Sequence, residues 1–313
     1  MSPSRTLSLL ILGATLASPA LAEEPAACKN VVLSDIGWTD VTSTTALTAN
    51  VLDALGYQTE IKVLSLPVTY TAMSTGDVDV FLGNWMPSQE ADIKPYNDAK
   101  TVDTVRTNLT GAKYTLATNE AGAKLGITDF SKIAAHSAEL DGKIYGIEPG
   151  NDGNRLLLDM VTDDKFGLGK FEIVESSEQG MLAQVARADG SAKPIVFLGW
   201  EPHPMNAQFK MTYLSGGDDV FGPNFGGAEV RTNTRAGYAQ ECPNVGKLLA
   251  NLEFTLPMEN EVMGAILNDG AEPMTAAKDW LKKNPDAVVP WLAGVTTFDG
   301  GDAAAAVTAA VEG

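Results

Sequence analysis

The 313-residue sequence lacks the short motifs by which hydrolases, nucleotide-binding enzymes and zinc enzymes are commonly detected. It has no G-x-S-x-G elbow, no G-x-x-x-x-G-K-[ST] or G-x-G-x-x-G loop, no H-E-x-x-H and no C-x-x-C. Histidine is scarce too, since His136 and His203 are the only two, which leaves few candidates for a metal site or triad. We expect no catalytic residue, metal or cofactor. A carboxylate pair for glycoside cleavage stays open on spacing alone, at Glu148, Asp152 and Glu201.

Basic residues and long apolar runs are also few. The sequence has 22 Lys and Arg against 40 Asp and Glu, a formal net charge of −18 at pH 7. Such a surface repels nucleic acid and anionic lipid, so neither is expected as a partner. No stretch reaches the ~18 consecutive apolar residues that a transmembrane helix needs. We therefore expect a soluble mature protein.

The first residues have the pattern of a secretory signal peptide. Arg5 stands in a short charged start, an apolar run extends from Leu7 to Leu16, and Ala20-Leu21-Ala22 supplies small residues for cleavage. Residues 1–22 are therefore predicted to be removed. The expected location of the mature chain is the periplasm.

Cysteine is limited to Cys28 and Cys242. In an oxidising compartment an even count favours one disulfide over two free thiols. Such a bond would place the beginning and the end of the mature chain in the same lobe.

Hydrophobic periodicity indicates alternating strands and helices in two successive stretches of the chain. The first stretch has the order strand, helix, strand, helix, strand, with a helix at Val41–Leu55 that Gly56 ends. The second repeats this order between Lys143 and Trp200. The pattern predicts an α/β fold of two lobes, each a mostly parallel sheet flanked by helices. The predicted division is 23–112 and 209–313 for lobe 1, and 113–208 for lobe 2.

Three of the five tryptophans follow strand ends. Trp38, Trp85 and Trp200 fall just past the carboxyl ends of predicted strands, where open α/β sheets bind their ligands. Aromatic faces attract cations, and quaternary ammonium groups are the best-known ligands of aromatic cages. Trp85 and Trp200 lie in two segments of similar sequence, Val80–Pro87 and Val196–Pro202. The two tryptophans for which core packing is expected instead are Trp280 and Trp291.

Five segments together carry a family resemblance. They are Gly37-Trp38-Thr39-Asp40, Phe81-Leu82-Gly83-Asn84-Trp85-Met86-Pro87, Ala112-Lys113-Tyr114-Thr115-Leu116, Ile147-Glu148-Pro149-Gly150-Asn151-Asp152-Gly153-Asn154 and Gly199-Trp200-Glu201-Pro202-His203. They resemble the periplasmic choline-binding proteins of ABC transporters, a family of quaternary-amine substrate-binding proteins, over nearly the whole mature chain. The resemblance implies a type II periplasmic-binding-protein fold with the ligand in the cleft between the lobes.

The same resemblance implies a set of binding residues. A cage would surround the trimethylammonium group, and its members would be Trp38, Trp85, Tyr114 and Trp200. Asp40 and Asn151 would lie near the choline hydroxyl, and Cys28 would pair with Cys242. The implied partners are choline and the membrane permease of an ABC importer, and we expect a monomer.

Other interpretations of these residues stay open. Asp40 stands at a helix start, where it would serve as a cap, and Asn151 is a good turn former. A protein that binds glycine betaine or proline betaine is the nearest alternative, although Asp40 would disfavour the carboxylate of a betaine. A secreted hydrolase of choline esters is the third hypothesis.

Overall fold

The computed structural model describes residues 24–313, so the predicted signal peptide lies outside the described residues. The strands are β1 Asn30–Asp35, β2 Gln58–Val63, β3 Val80–Met86, β4 Val102–Asn119, β5 Lys143–Tyr145, β6 Glu172–Val174, β7 Val196–Glu201, β8 Met211–Tyr213 and β9 Gly227–Arg235. The helices of the first half are α1 Thr39–Ala54, α2 Leu66–Thr75, α3 Glu90–Ala99, α4 Glu120–Lys124, α5 Phe130–Ile133 and α6 Asp152–Thr162. Those of the second half are α7 Glu178–Gly190, α8 Met205–Gln208, α9 Asp218–Phe221, α10 Pro223–Gly226, α11 Tyr238–Glu241, α12 Pro243–Asn251, α13 Leu256–Leu267, α14 Pro273–Lys283, α15 Pro285–Val288 and α16 Ala303–Glu312.

The strands form one mixed sheet in the order β2-β1-β3-β9-β4-β7-β5-β6, with β8 also paired to β4. Its two ends are parallel, since β1 pairs in parallel with β2 and β3, and β5 with β6 and β7. Its middle is antiparallel, where β9 pairs with β3 and β4, and β4 with β7. The α/β prediction is confirmed, and the parallel arrangement holds for the outer strands of each lobe.

The long strand β4 connects the two lobes. Its first part, as far as Lys113, pairs with β9 beside the strands β1 to β3 of the first lobe. From Lys113 to Thr118 it pairs with β7 of the second lobe. The carboxyl ends of β3 and β7 therefore face a common cleft on either side of this strand.

The predicted disulfide is present. Cys28 and Cys242 are bonded, with their Cα atoms 5.6 Å apart, and both are buried. The bond joins the start of the described chain to the loop before α12. In residues 24–313 the one group of potential metal ligands that lies close together contains these two bonded sulfur atoms and Glu24.

The helices after β9 pack on the first lobe. Helix α1 contacts α13 and α14, and Trp291 is almost fully buried with its ring centroid 5.5 Å from that of Phe254. Trp280 donates its indole N–H to Glu261 at 2.6 Å. Trp280 thus joins α14 to α13, and Trp291 packs between connecting segments. In the part of the chain that the structure describes, no helix combines the length and apolar character needed to cross a membrane.

Candidate functional site

A small cavity lies in the cleft between the lobes. Its walls come from α1, β3, β4, β7 and the loop after β5. The lining residues are Trp38, Asp40, Trp85, Tyr114, Ile147 and Trp200. Each of these side chains is buried in the structure, with 2–5% of the residue exposed. The structure therefore brings together five of the six residues that the sequence predicts for the site.

Local structure explains how the aromatic residues meet. Gly37 adopts φ +81°, a left-handed conformation that glycine tolerates best, and so turns the chain from β1 into α1 at Trp38. Strand β3 carries Trp85 near its end. In the antiparallel pairing of β4 with β7, Tyr114 lies directly opposite Trp200. Strand ends and one helix start thus converge on the cavity.

Tyr114 stands between the two strand tryptophans. Its ring centroid lies 6.0 Å from that of Trp85 at an interplanar angle of 60°, and 6.3 Å from that of Trp200 at 84°. Edge-to-face contact is an arrangement that aromatic pairs prefer, and these three rings, with that of Trp38, line the cavity. The arrangement is a cage of aromatic walls.

Among the described residues, Asp40 supplies the one carboxylate in the cavity wall. Its Oδ2 accepts a hydrogen bond from the indole N–H of Trp85 at 2.9 Å, whereas its buried Oδ1 has no partner among the described residues. Burial, and after it the negative charge of Glu178, raises the pKa of Asp40 to about 7. The unpartnered oxygen is an acceptor for a donor group inside the cavity.

Other buried acids lie near the cavity. Burial raises the pKa of Asp152 to about 6, and burial together with the charge of Asp40 raises the pKa of Glu259 well above its ordinary range. No lysine or arginine is among the residues that line the cavity in the described chain. An apolar, aromatic space beside buried carboxyl groups is suited to a cation that carries hydrophobic groups, because the cation favours the ionised form of a neighbouring carboxyl group.

Asn151 lies beside the cavity and is not part of its lining. It is the N-cap of α6, where its Oδ1 accepts from the backbone N–H of Asn154 at 2.9 Å. The same oxygen lies 3.4 Å from the hydroxyl of Tyr114, and its amide group donates to the carbonyl of Glu148. Asn151 thus supports the hydroxyl end of Tyr114, and a direct ligand contact stays a prediction.

The lobes are closed over the cavity. Arg155 of α6 in the second lobe donates to the carbonyl of Ser88 and to the carboxylate of Asp92 in the first lobe, each at 2.9 Å. Since every cage residue is nearly inaccessible, a ligand has to enter while the lobes are apart. Closure by hinge motion is the usual behaviour of such two-lobed proteins.

Comparison with known proteins identifies the family. Residues 29–283 match the substrate-binding domain of ABC-type glycine betaine transport systems, known as OpuAC. The chain belongs to this family. An ABC-transporter choline-binding protein solved in complex with choline is 69% identical, aligns with a TM-score of 0.91, and covers 92% of this chain and 100% of its own. A chain of that description in an unliganded, semi-closed conformation is also 69% identical, with a TM-score of 0.84 and coverages of 91% and 99%.

A curated relative is more distant. The glycine betaine/carnitine transport binding protein GbuC of Listeria monocytogenes is 30% identical over 162 residues, which are 52% of this chain and 53% of that protein. The resemblance found in the sequence is confirmed. As an OpuAC protein the chain is an extracytoplasmic substrate-binding component of an ABC transporter and not an enzyme. Its structure aligns better with the choline complex than with the semi-closed form, which agrees with the closed cavity.

Sequence reasoning missed three residues of the site. Ile147 lines the cavity, whereas the residue predicted from the same segment was Asn151. Glu178 and His203 have fully buried side chains, and Glu178 reaches across to Thr39 of the first lobe. His203 belongs to a motif that carried the resemblance, whereas Glu178 had no local signal, because its contacts are with residues distant in sequence.

Burial of Asp40 predicts that closure of the ligand-free protein depends on pH. With the lobes together its pKa is about 7, whereas a hydrated Asp40 between open lobes should titrate near the ordinary 3.8. Between these values the closed form binds one more proton, so closure becomes easier as the pH falls through 7, by about 1.4 kcal/mol per unit. Small-angle X-ray scattering without ligand should show a more compact protein at about pH 5.5 than at about pH 8.

Asp40→Asn serves as the control for this titration, because an amide does not ionise. Its ligand-free scattering should change less between the two pH values, and the remaining change would come from the other buried acids with raised pKa values, which are Asp35, Glu148, Asp152 and Glu259. A wild-type radius that stays constant over the range would contradict the prediction.

Proposed function

We propose that this protein binds choline in the aromatic cage and delivers it to the membrane permease of an ABC importer. The observation that carries the proposal is the closed cavity with four aromatic walls and one carboxylate, described above. The 69% identity to a choline-binding protein solved with choline supports the same ligand. In that role Trp38, Trp85, Tyr114 and Trp200 surround the trimethylammonium group.

The cage chemistry favours a quaternary ammonium group over other cations. A trimethylammonium group has no N–H, so hydrogen-bond acceptors alone are unable to hold it directionally, whereas aromatic faces attract its charge and contact its methyl groups. Four desolvated contacts of ~1 to 2 kcal/mol each give ~4 to 8 kcal/mol before the costs of association. Burial of the methyl groups adds to this, which is consistent with affinity of about micromolar strength.

Asp40 favours choline over betaines. Its free Oδ1 is able to accept a hydrogen bond from the choline hydroxyl, and its charge attracts the ammonium group. The carboxylate of glycine betaine or proline betaine would instead be repelled by the carboxylate of Asp40. Among the described residues, no basic side chain lines the cavity to offset this repulsion. The ligand also supplies the positive charge that makes closure over an ionised Asp40 favourable.

The hinge of this mechanism lies in two crossovers. We place the first in β4 near Lys113, where its pairing changes from β9 to β7, as the sequence division at 112/113 predicts. The sequence places the second crossover between residues 208 and 209. However, β8 still pairs with the second-lobe end of β4. Ser215 is also attached to the second lobe, because its carbonyl accepts from the N–H of Phe130. We therefore propose a later return, between β8 and Gly227. We also propose that residues 1–22 are removed and that the mature protein acts as a monomer in the periplasm.

Calorimetric titration of the mature protein tests the function directly. We expect micromolar or tighter binding of choline, at least about tenfold weaker binding of glycine betaine and proline betaine, and no hydrolysis of acetylcholine. Preference for a betaine would retain the cage but contradict the role of Asp40. Failure to bind any of these ligands would overturn the proposed function.

A further inference from the structure

The N-terminus of α1 is not capped by the side chain of its N-cap residue. Its N-cap residue is Trp38, whose side chain makes no capping hydrogen bond. Instead, the carboxylate of Glu178 in the second lobe accepts from the backbone N–H of Thr39 at 2.8 Å and from its hydroxyl at 2.6 Å. A carboxylate at this position satisfies a free backbone donor and interacts favourably with the helix dipole. The helix that presents Trp38 and Asp40 is therefore capped by the opposite lobe.

His203 completes the contact from the other side. Its Nδ1 accepts from the backbone N–H of Met205 at 2.9 Å, so a neutral ring carries its proton on Nε2. That nitrogen lies 3.1 Å from Oε1 of Glu178, and both side chains have no exposed surface. The His203 ring also packs edge-on against Trp200, with centroids 4.7 Å apart. One carboxylate thus connects the first-lobe helix with the second-lobe cage wall.

We propose that Glu178 is a positioning residue that holds the cage closed on its ligand and so sets the rate of ligand release. The inference rests on the proposed function, because it concerns the same cage. Its bonds to Thr39 exist only while the lobes are together, since Glu178 belongs to α7 and Thr39 to α1. When the lobes part, water replaces Thr39 at the carboxylate and α1 loses its cap. Removing the contact therefore weakens the closed state and leaves the open one unaffected. Because Glu178→Gln also relieves the repulsion between the Glu178 charge and Asp40, a variant of Thr39 is needed to isolate the hydrogen bond.

Glu178→Gln is the sharpest variant, since glutamine keeps the size of the side chain but replaces one acceptor oxygen by an NH₂ donor. That donor faces groups that themselves donate, the Thr39 hydroxyl and His203 Nε2. The matched control is Glu139→Gln, because Glu139 lies 3.5 Å from the chain's other histidine, His136, at the partly exposed surface. Thr39→Val is a second variant that removes only the hydroxyl donor.

Stopped-flow fluorescence with choline as the probe measures association and dissociation separately. For Glu178→Gln we expect dissociation at least about tenfold faster, association little changed, and a ligand-free melting temperature within about 2 °C of wild type. Thr39→Val should show a smaller effect in the same direction, and Glu139→Gln none. Unchanged dissociation in Glu178→Gln, or a loss confined to association, would overturn the proposal.

The test separates this proposal from the proposed function. If the wild type binds neither choline nor a betaine, the function fails, and the contact is measured instead through ligand-free closure at about pH 5.5 by scattering. Glu178→Gln should then be less compact than both the wild type and Glu139→Gln. Equal radii in all three proteins would overturn the positioning role by itself.

Discussion

Replacing Trp200 with alanine is expected to weaken choline binding by about 100-fold or more, because it removes one wall of a desolvated cage. Trp200 is 3% exposed and lies opposite Tyr114 across the β4–β7 pairing. The change deletes a cation–π contact of about 2 kcal/mol and lets water reach the ammonium group. The lost packing against the methyl groups adds about 1 kcal/mol. Calorimetric titration with choline measures the result.

Trp280→Ala is the matched control for this substitution. Trp280 is also a buried tryptophan, but it lies on α14, where its indole N–H is bonded to Glu261, and it does not line the cavity. Its loss should lower the melting temperature while the choline affinity of the folded protein stays within about threefold of wild type. Undiminished choline binding by Trp200→Ala would mean that Trp200 is a packing residue and that the cage is assigned wrongly.

Replacing Asp40 with asparagine is expected to weaken choline binding by about 100-fold. The ratio of choline affinity to glycine betaine affinity should fall by more than this factor. The variant removes the charge that attracts the ammonium group and the charge-assisted bond to the hydroxyl. It also removes the repulsion that a betaine carboxylate would meet. The amide oxygen is still able to accept from Trp85, so the fold of the wall should be retained.

The control for Asp40→Asn is Asp152→Asn. Asp152 is another fully buried aspartate with a raised pKa, but it does not line the cavity. Competition titrations with choline and glycine betaine should therefore give a nearly wild-type ratio for Asp152→Asn and a much reduced one for Asp40→Asn. Equal ratios in both variants would show that ligand choice depends on the general acidity of the region rather than on Asp40.

Much of the site was predictable because its residues carry local signals. An apolar run followed by glycine and, within two residues, by tryptophan occurs in both halves of the chain, at Trp85 and at Trp200. The structure places both tryptophans within the last residues of their strands rather than just past them. In a protein of two α/β lobes the carboxyl ends of the strands of each lobe face the cleft, so the proximity of these residues follows from the two-lobed organisation. The disulfide followed from the count of two cysteines in an oxidising compartment. Tyr114 had no such signal, and only the family resemblance singled it out.

The remaining parts of the site depend on contacts between the lobes. Glu178 becomes a cap for α1 only when α7 of one lobe meets α1 of the other, more than a hundred positions away in the chain. The raised pKa of Asp40 likewise comes from burial in the closed cleft and from the charge of Glu178. The position of Asn151 outside the cavity lining also required the structure, since its capping role and a ligand role use the same residue type.

The sequence by itself determined the α/β class, the two-lobed organisation, the disulfide, the family and most of the cage, because periodicity, strand ends and residue type are local properties. The tertiary structure alone decided how closely the lobes approach, which carboxylates are buried together and which of them interact across the cleft. The physical reason is that burial and charge interactions depend on distance in space. Residues distant in the chain acquire these interactions only when the two lobes meet.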